Sequence, residues 1–137
     1  MKVVVDTNDY ISALIGKKHR AKLEKVILNA DVQILADLTL LEEISEVAYR
    51  DKFRKYVSIS EADDFINTLK LRLKPIVTTS IVTASLDPDD NFLLAIAQDG
   101  KADYIVTGDK SDLLSLGSFN NISIIRLDEF LKIIGAV

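Results

Sequence analysis

Short apolar runs rich in valine and isoleucine alternate along this chain with longer stretches whose apolar residues recur every three or four positions. The short runs predict strands at residues 2–6 (KVVVD), 32–35 (VQIL), 103–107 (DYIVT) and 122–126 (ISIIR), with weaker candidates at 75–77 (PIV) and 81–83 (IVT). The helical spacing predicts helices over about 9–15, 19–30, 38–50, 60–73, 88–99, 111–116 and 128–134. Ser60 with Asp63 has the form of a capping box, and Asp87 before Pro88 pairs an N-cap with a first-turn proline. Strands separated by helices need crossover connections. They imply an α/β fold, one domain over residues 1–137, with a parallel sheet flanked by helices on both faces.

Sheets of this kind bind ligands beyond the carboxyl ends of their strands. Asp6 stands there after VVV, and Asp109 after YIVTG. A carboxylate beside a core strand is costly unless something pairs with it, so Asp6 is either a turn residue at the surface or a ligand for a cation. Two further acids sit beside apolar faces. In the helix from Leu38 to Arg50, the apolar stripe is Leu40, Leu41, Ile44, Val47 and Ala48, with Glu43 at its border. In DPDDNFLLAIAQ, Asp90 stacks below Leu93, Leu94 and Ala97. Each has a plain alternative: Glu43 reaching to water, Asp90 serving the helix dipole beside Asp87 and Asp89, and Asp109 capping the next helix. Asp9, one turn into the first helix, is expected to serve its dipole.

Composition narrows the chemistry. Of 137 residues, 48% are hydrophobic and 28% charged, with net charge −4, which supports one core and argues against disorder. There is no cysteine and one histidine, His19, expected at the surface. Thiolate zinc sites and paired-imidazole sites are thereby excluded, and any bound metal must rest on oxygens. Four converging carboxylates would repel one another, and such a hard oxygen set suits Mg²⁺ or Mn²⁺. Those ions activate water and neutralise charge on a phosphate, the chemistry of phosphodiester hydrolysis. The apolar run after Met1 is three valines long, too short for a signal peptide, and nothing approaches the ~18 residues of a membrane span, so a cytoplasmic location is expected.

Charge is unevenly spread. Residues 1–75 hold 13 Lys and Arg against 12 Asp and Glu, whereas residues 76–137 hold 4 against 9. The bases cluster as Lys17, Lys18, Arg20, Lys22 and Lys25, and as Arg50, Lys52, Arg54 and Lys55. The overall pI of about 5.0 weighs against nucleic-acid binding, but basic patches set apart from an acidic site keep it open.

VVVDTNDYISAL, LLEEI and DPDDNFLLAIAQDGKADYIVTGDKSDLL together resemble the PIN-domain family of metal-dependent ribonucleases. Within it, the chain is most similar to the single-domain VapC-like toxins of prokaryotic toxin–antitoxin pairs. The resemblance runs over nearly the whole chain and is weakest from about 50 to 80. It implies an acidic tetrad of Asp6, Glu43, Asp90 and Asp109, binding Mg²⁺ or Mn²⁺ and acting catalytically. Asn8 and Thr107 would be polar helpers, and Asp112 a possible fifth acid. It further implies an RNA substrate, a cognate antitoxin and a homodimer. The two basic clusters, near Asp6 and Glu43 in sequence, make Lys17, Lys18, Arg20 and Arg54 candidate RNA contacts. One departure is Asp9, where the family usually carries an apolar residue.

Other classes fit less well. A haloacid-dehalogenase-like phosphatase needs a second aspartate two residues after the first, where this chain has Asn8. A receiver-type signalling domain needs paired acids after its first strand, and these are missing. A catalytically silent PIN-like interaction module is the non-enzymatic alternative, and the intact acids argue against it.

Overall fold

The three valines of residues 3–5 lie fully buried in the middle of the sheet in the computed structural model, which describes residues 1–108 and 112–136. The strands are β1 (Lys2–Val5), β2 (Gln33–Ala36), β3 (Lys74–Pro75), β4 (Tyr104–Val106), β5 (Ser118–Phe119) and β6 (Ile122–Ile125). They lie in the order β3-β2-β1-β4-β6-β5, parallel throughout except for the β5–β6 pair. Successive strand side chains point to opposite faces, so the burial of Val3, Val4 and Val5 alike requires both faces of β1 to be covered.

The helices are α1 (Thr7–Ile15), α2 (Lys17–Ile27), α3 (Leu38–Ala48), α4 (Ile59–Arg72), α5 (Pro88–Asp99), α6 (Asp112–Leu116) and α7 (Leu127–Ile133). Their apolar stripes complete the core, with Leu14, Leu23, Leu40, Ile44, Leu94 and Ile96 all buried. None among the described residues is long and apolar enough to cross a membrane.

The strand order decides where a site can form. From β1 the chain moves outward through β2 to β3, then returns to place β4 on the other side of β1. The carboxyl ends of β1 and β4 therefore flank the point where the winding reverses, the crevice that open α/β sheets use for binding.

Four expectations are corrected. The IVT run at 81–83 forms no strand. β3 is a two-residue edge, and the segment after it is held by the Asp99 carboxylate, which accepts from the backbone of Thr79 (2.6 Å) and Ser80 (2.9 Å). Ile81, at 93% exposed, has no sheet to join. The capping box of α4 is Ser58 with Glu61, two residues before the pair expected, through reciprocal bonds of 3.1 Å. Asp63 instead accepts from the Tyr49 hydroxyl. The antiparallel β5–β6 hairpin was not expected. Its turn, Asn120–Asn121, has φ of 47° and 66°, and asparagine tolerates this left-handed backbone better than most residues. Finally, His19 is not a simple surface residue: its Nε2 lies 3.1 Å from the buried Asp9 carboxylate.

Candidate active site

Asp6 leaves β1 at the winding reversal and does three local jobs at once. Its backbone N–H continues the ladder to Val106 (2.9 Å), while its carbonyl accepts from Asp9 N–H (3.0 Å) and so opens α1. Its carboxylate caps that helix, with Oδ1 accepting from Asn8 N–H at 3.4 Å. Oδ2 accepts a 2.7 Å bond from the hydroxyl of Thr107, which is completely buried at the end of β4. Two residues about a hundred positions apart thus fix one carboxylate between two central strands. Asn8 itself is exposed and lines the cleft in front of Asp6.

That cleft has a volume of about 620 Å³. Asp6, Asn8 and Gly108 enter it from the sheet edge, Glu43 from α3, and Asp87, Asp89 and Asp90 from the start of α5. Asp87 is the α5 cap, accepting from Asp89 N–H at 2.9 Å. Asp90 is buried, one turn below Leu93 and Leu94, and its Oδ2 lies 3.4 Å from the Ser85 hydroxyl. Glu43 is held above the ordinary glutamate range, first by partial burial and then by the charges of Asp89, Asp6 and Glu46, with Arg50 opposing them. Acids from three separate segments therefore feel one another across this space. Asp89, which the sequence assigns to the helix dipole alone, also lines this cleft, and no local spacing separates the two roles.

Asp109 lies outside the described residues, as does the side chain of Asp112. Among the described residues no group of three acids or imidazoles is disposed to hold a metal ion by itself. The donor set nevertheless fits a hard divalent cation in kind: it is all oxygen, and the repulsion at Glu43 is what such a cation would relieve.

The basic residues fall differently from expectation. Arg20 folds back to donate to the carbonyls of Ala13 (2.9 Å) and Leu14, satisfying the end of α1, and Arg54 does the same for Ala48 at the end of α3 (2.5 Å). Lys17 and Lys18 are exposed at the start of α2. None of these four lines the cleft, whereas Arg50 and Lys52 do. Arg50 makes a solvent-exposed pair with Glu46 at 2.8 Å, worth little in stability. Asp9 sits in the first turn of α1, as the dipole reading expects, but is buried, and its carboxylate turns to His19 across the α1–α2 corner.

A parallel sheet whose winding reversal opens onto a carboxylate-lined cleft places an all-oxygen donor set where open α/β sheets bind their ligands. The family model of the PIN domain matches residues 2–111, and the chain belongs to the PIN-domain family. Members of this family are nucleases and generally use divalent metal ions. The chain is 33% identical over 122 residues to the uncharacterized protein MJ1680 of Methanocaldococcus jannaschii, covering 88% of this chain and 77% of that one. Its fold is similar to VapBC2 of Rickettsia felis, solved bound to a DNA fragment from its promoter (TM-score 0.59, 16% identity, 90% of this chain and 97% of that one). It is equally similar to PAE2754 of Pyrobaculum aerophilum (TM-score 0.59, 14% identity, 100% of this chain and 91% of that one).

Proposed function

We propose that this protein is a divalent-metal-dependent endoribonuclease and the toxin of a toxin–antitoxin pair. The observation that carries the reading is the meeting of Asp6, Glu43 and Asp90 at one cleft of a PIN domain, from segments far apart in sequence. With Asp109 from the TGDK motif, these acids would hold Mg²⁺ or Mn²⁺, which when bound supplies charge neutralisation and a more acidic water. The Thr107 hydroxyl and the Asn8 backbone N–H donate to the Asp6 carboxylate and orient it before any ligand arrives. Glu43, entering the cleft from α3, would hold the metal or orient the attacking water. Arg50 and Lys52, at the same cleft, suit the flanking phosphates. Asp112 remains a candidate fifth acid, and Lys17 and Lys18 candidate distal contacts to the RNA backbone.

The likeness in fold to VapBC2 supports a cognate antitoxin, and a cytoplasmic homodimer is proposed with it. The test is cleavage of single-stranded RNA by purified protein after chelation. Activity should vanish with EDTA and return with Mn²⁺ or Mg²⁺. Cleavage indifferent to chelation would remove the metal site from the account, and no cleavage under any condition would favour the silent interaction module. Co-purification with the product of an adjacent reading frame tests the antitoxin separately.

A further inference from the structure

A second depression opens at the carboxyl edge of the sheet. It has a volume of about 120 Å³ and adjoins the acidic cleft at Gly108, which lines both. Its walls come from separate segments: Asp9 from α1, His19 and Lys22 from α2, Gly108 just past β4, Arg126 just past β6, and Asp128 from α7. β4 and β6 are parallel neighbours, and Thr107 N–H donates to the Ile125 carbonyl at 3.0 Å, so Gly108 and Arg126 leave the sheet side by side. His19 and Lys22 are three positions apart on α2 and share a helix face.

The electrostatics of the two depressions run in opposite directions. In the cleft, Glu43 is held above its ordinary range by burial and by surrounding acids. Here Asp128 is held below the ordinary carboxylate range, first by its hydrogen bond from Lys22 and then by the charges of Lys22, His19 and Lys132. Asp9, the chain's departure from the family pattern, lies buried behind this wall and fixes the His19 ring through Nε2 at 3.1 Å. The side chains of His19 and Lys22 nevertheless stay 31% and 35% exposed, so a ligand can reach both. The Lys22–Asp128 pair faces solvent and is worth little, which lets Lys22 turn to a stronger anion at small cost.

Size narrows the ligand. About 120 Å³ is the share of roughly four water molecules. That admits a tetrahedral phosphate and falls well short of the clefts that enclose a whole nucleotide.

We propose that this pocket is a phosphate subsite formed by His19, Lys22 and Arg126, and that it takes a backbone phosphate of an RNA strand leaving the acidic cleft past Gly108. Arg50 and Lys52 attend that strand at the cleft itself, and the pocket attends it beyond Gly108. The choice of RNA rests on the nuclease reading above, whereas the pocket and its cations stand without it.

The chain has one histidine, so its imidazole C–H resonances report on this pocket alone. Inorganic phosphate, titrated at fixed pH and ionic strength, should shift them saturably, with and without Mg²⁺. The response should weaken in Lys22→Gln and in Arg126→Gln. A second arm measures affinity for an RNA of about ten nucleotides against salt, in an Asp6→Asn background with Mg²⁺ so that no strand is cut. Each pocket variant should flatten the salt dependence by about 0.7, while Lys70→Gln, on α4 and outside the pocket, should leave it unchanged. A methylphosphonate linkage, which removes one phosphate charge, should reproduce that loss at one position of the RNA and cost nothing further in Arg126→Gln. No response of His19 to phosphate, or no RNA binding at all, would overturn the subsite. A phosphate response with unchanged RNA salt dependence would overturn its assignment to RNA and leave a pocket for free phosphate. Should Arg126→Gln fail to fold, Lys22→Gln and the methylphosphonate scan decide. Metal-dependent cleavage by the wild-type protein without a phosphate response would leave the nuclease standing and remove the subsite; flattened salt dependence without wild-type cleavage would keep the subsite and remove the nuclease.

Discussion

Asp6 and Asp37 have nearly the same local environment and different prospects. Each follows a parallel strand, each is buried, and each caps the next helix, Asp37 through a 2.8 Å bond from Leu40 N–H. Each also accepts a threonine hydroxyl, from Thr107 at 2.7 Å and Thr78 at 3.0 Å. Yet Asp6 lines the acidic cleft and Asp37 does not. The difference lies in strand order: β1 ends at the winding reversal, whereas β2 ends under the coil that follows β3. A carboxylate becomes a functional candidate through the topology around it, and the strand-then-cap motif by itself yields a structural aspartate.

The largest effect should separate these two residues in catalysis. Asp6→Asn should lower RNA cleavage on the order of a thousandfold, the scale of several kcal/mol of lost charge stabilisation, while Asp37→Asn, which keeps a competent cap, should change it less than about threefold. Comparable losses in both would break the comparison. Stability should run the other way. Asp37→Ala removes a cap and the acceptor of Thr78 and should cost about 2 kcal/mol in denaturant unfolding. Asp6→Asn should leave the metal-free protein as stable or more so, because one of the repelling charges is gone.

The same contrast recurs within α5 on a smaller scale. Asp87→Ala should cost about 1 kcal/mol and leave most activity, and Asp90→Asn should abolish cleavage at little cost in stability. The reverse outcome would return Asp90 to the helix dipole. The smallest effect concerns pH. Glu43 has a folded-state pKa raised by burial and by Asp89 and Asp6, so its contribution to stability is fully present below the ordinary glutamate range and is lost as pH rises through the raised value. Glu43→Gln should therefore raise the metal-free melting temperature slightly at neutral pH and not at acid pH. A gain that is the same at both would show that its neighbours do not act on it.

What the sequence made legible follows the range of the interaction. The sheet interior could be read from VVV and YIV because buried parallel strands are continuously apolar, and Glu43 and Asp90 from helical spacing, which is local. Asp37 is less legible, because the run VQIL predicts a strand ending at Leu35, whereas β2 extends to Ala36 and leaves Asp37 at its end. The meeting of Asp9 with His19 depends on how α1 and α2 turn at Gly16, a tertiary fact that no periodicity carries. Arg20 and Arg54 fit the pattern of RNA-contacting bases beside lysines; only folding shows that the guanidinium of each turns back onto a helix end. The IVT run illustrates the opposite failure, since β-branched residues form a strand only where a partner edge exists.

The central claim is that the carboxylates at the winding reversal form a divalent-metal site and that the matching aspartate at β2 does not. Loss of the free Mn²⁺ electron paramagnetic resonance signal on titration into wild-type, Asp6→Asn and Asp37→Asn protein measures it directly. Saturable binding in wild type and Asp37→Asn, weakened at least about tenfold in Asp6→Asn, is the predicted result. Equal binding by Asp6→Asn and wild type, or loss of binding in Asp37→Asn alone, would contradict it.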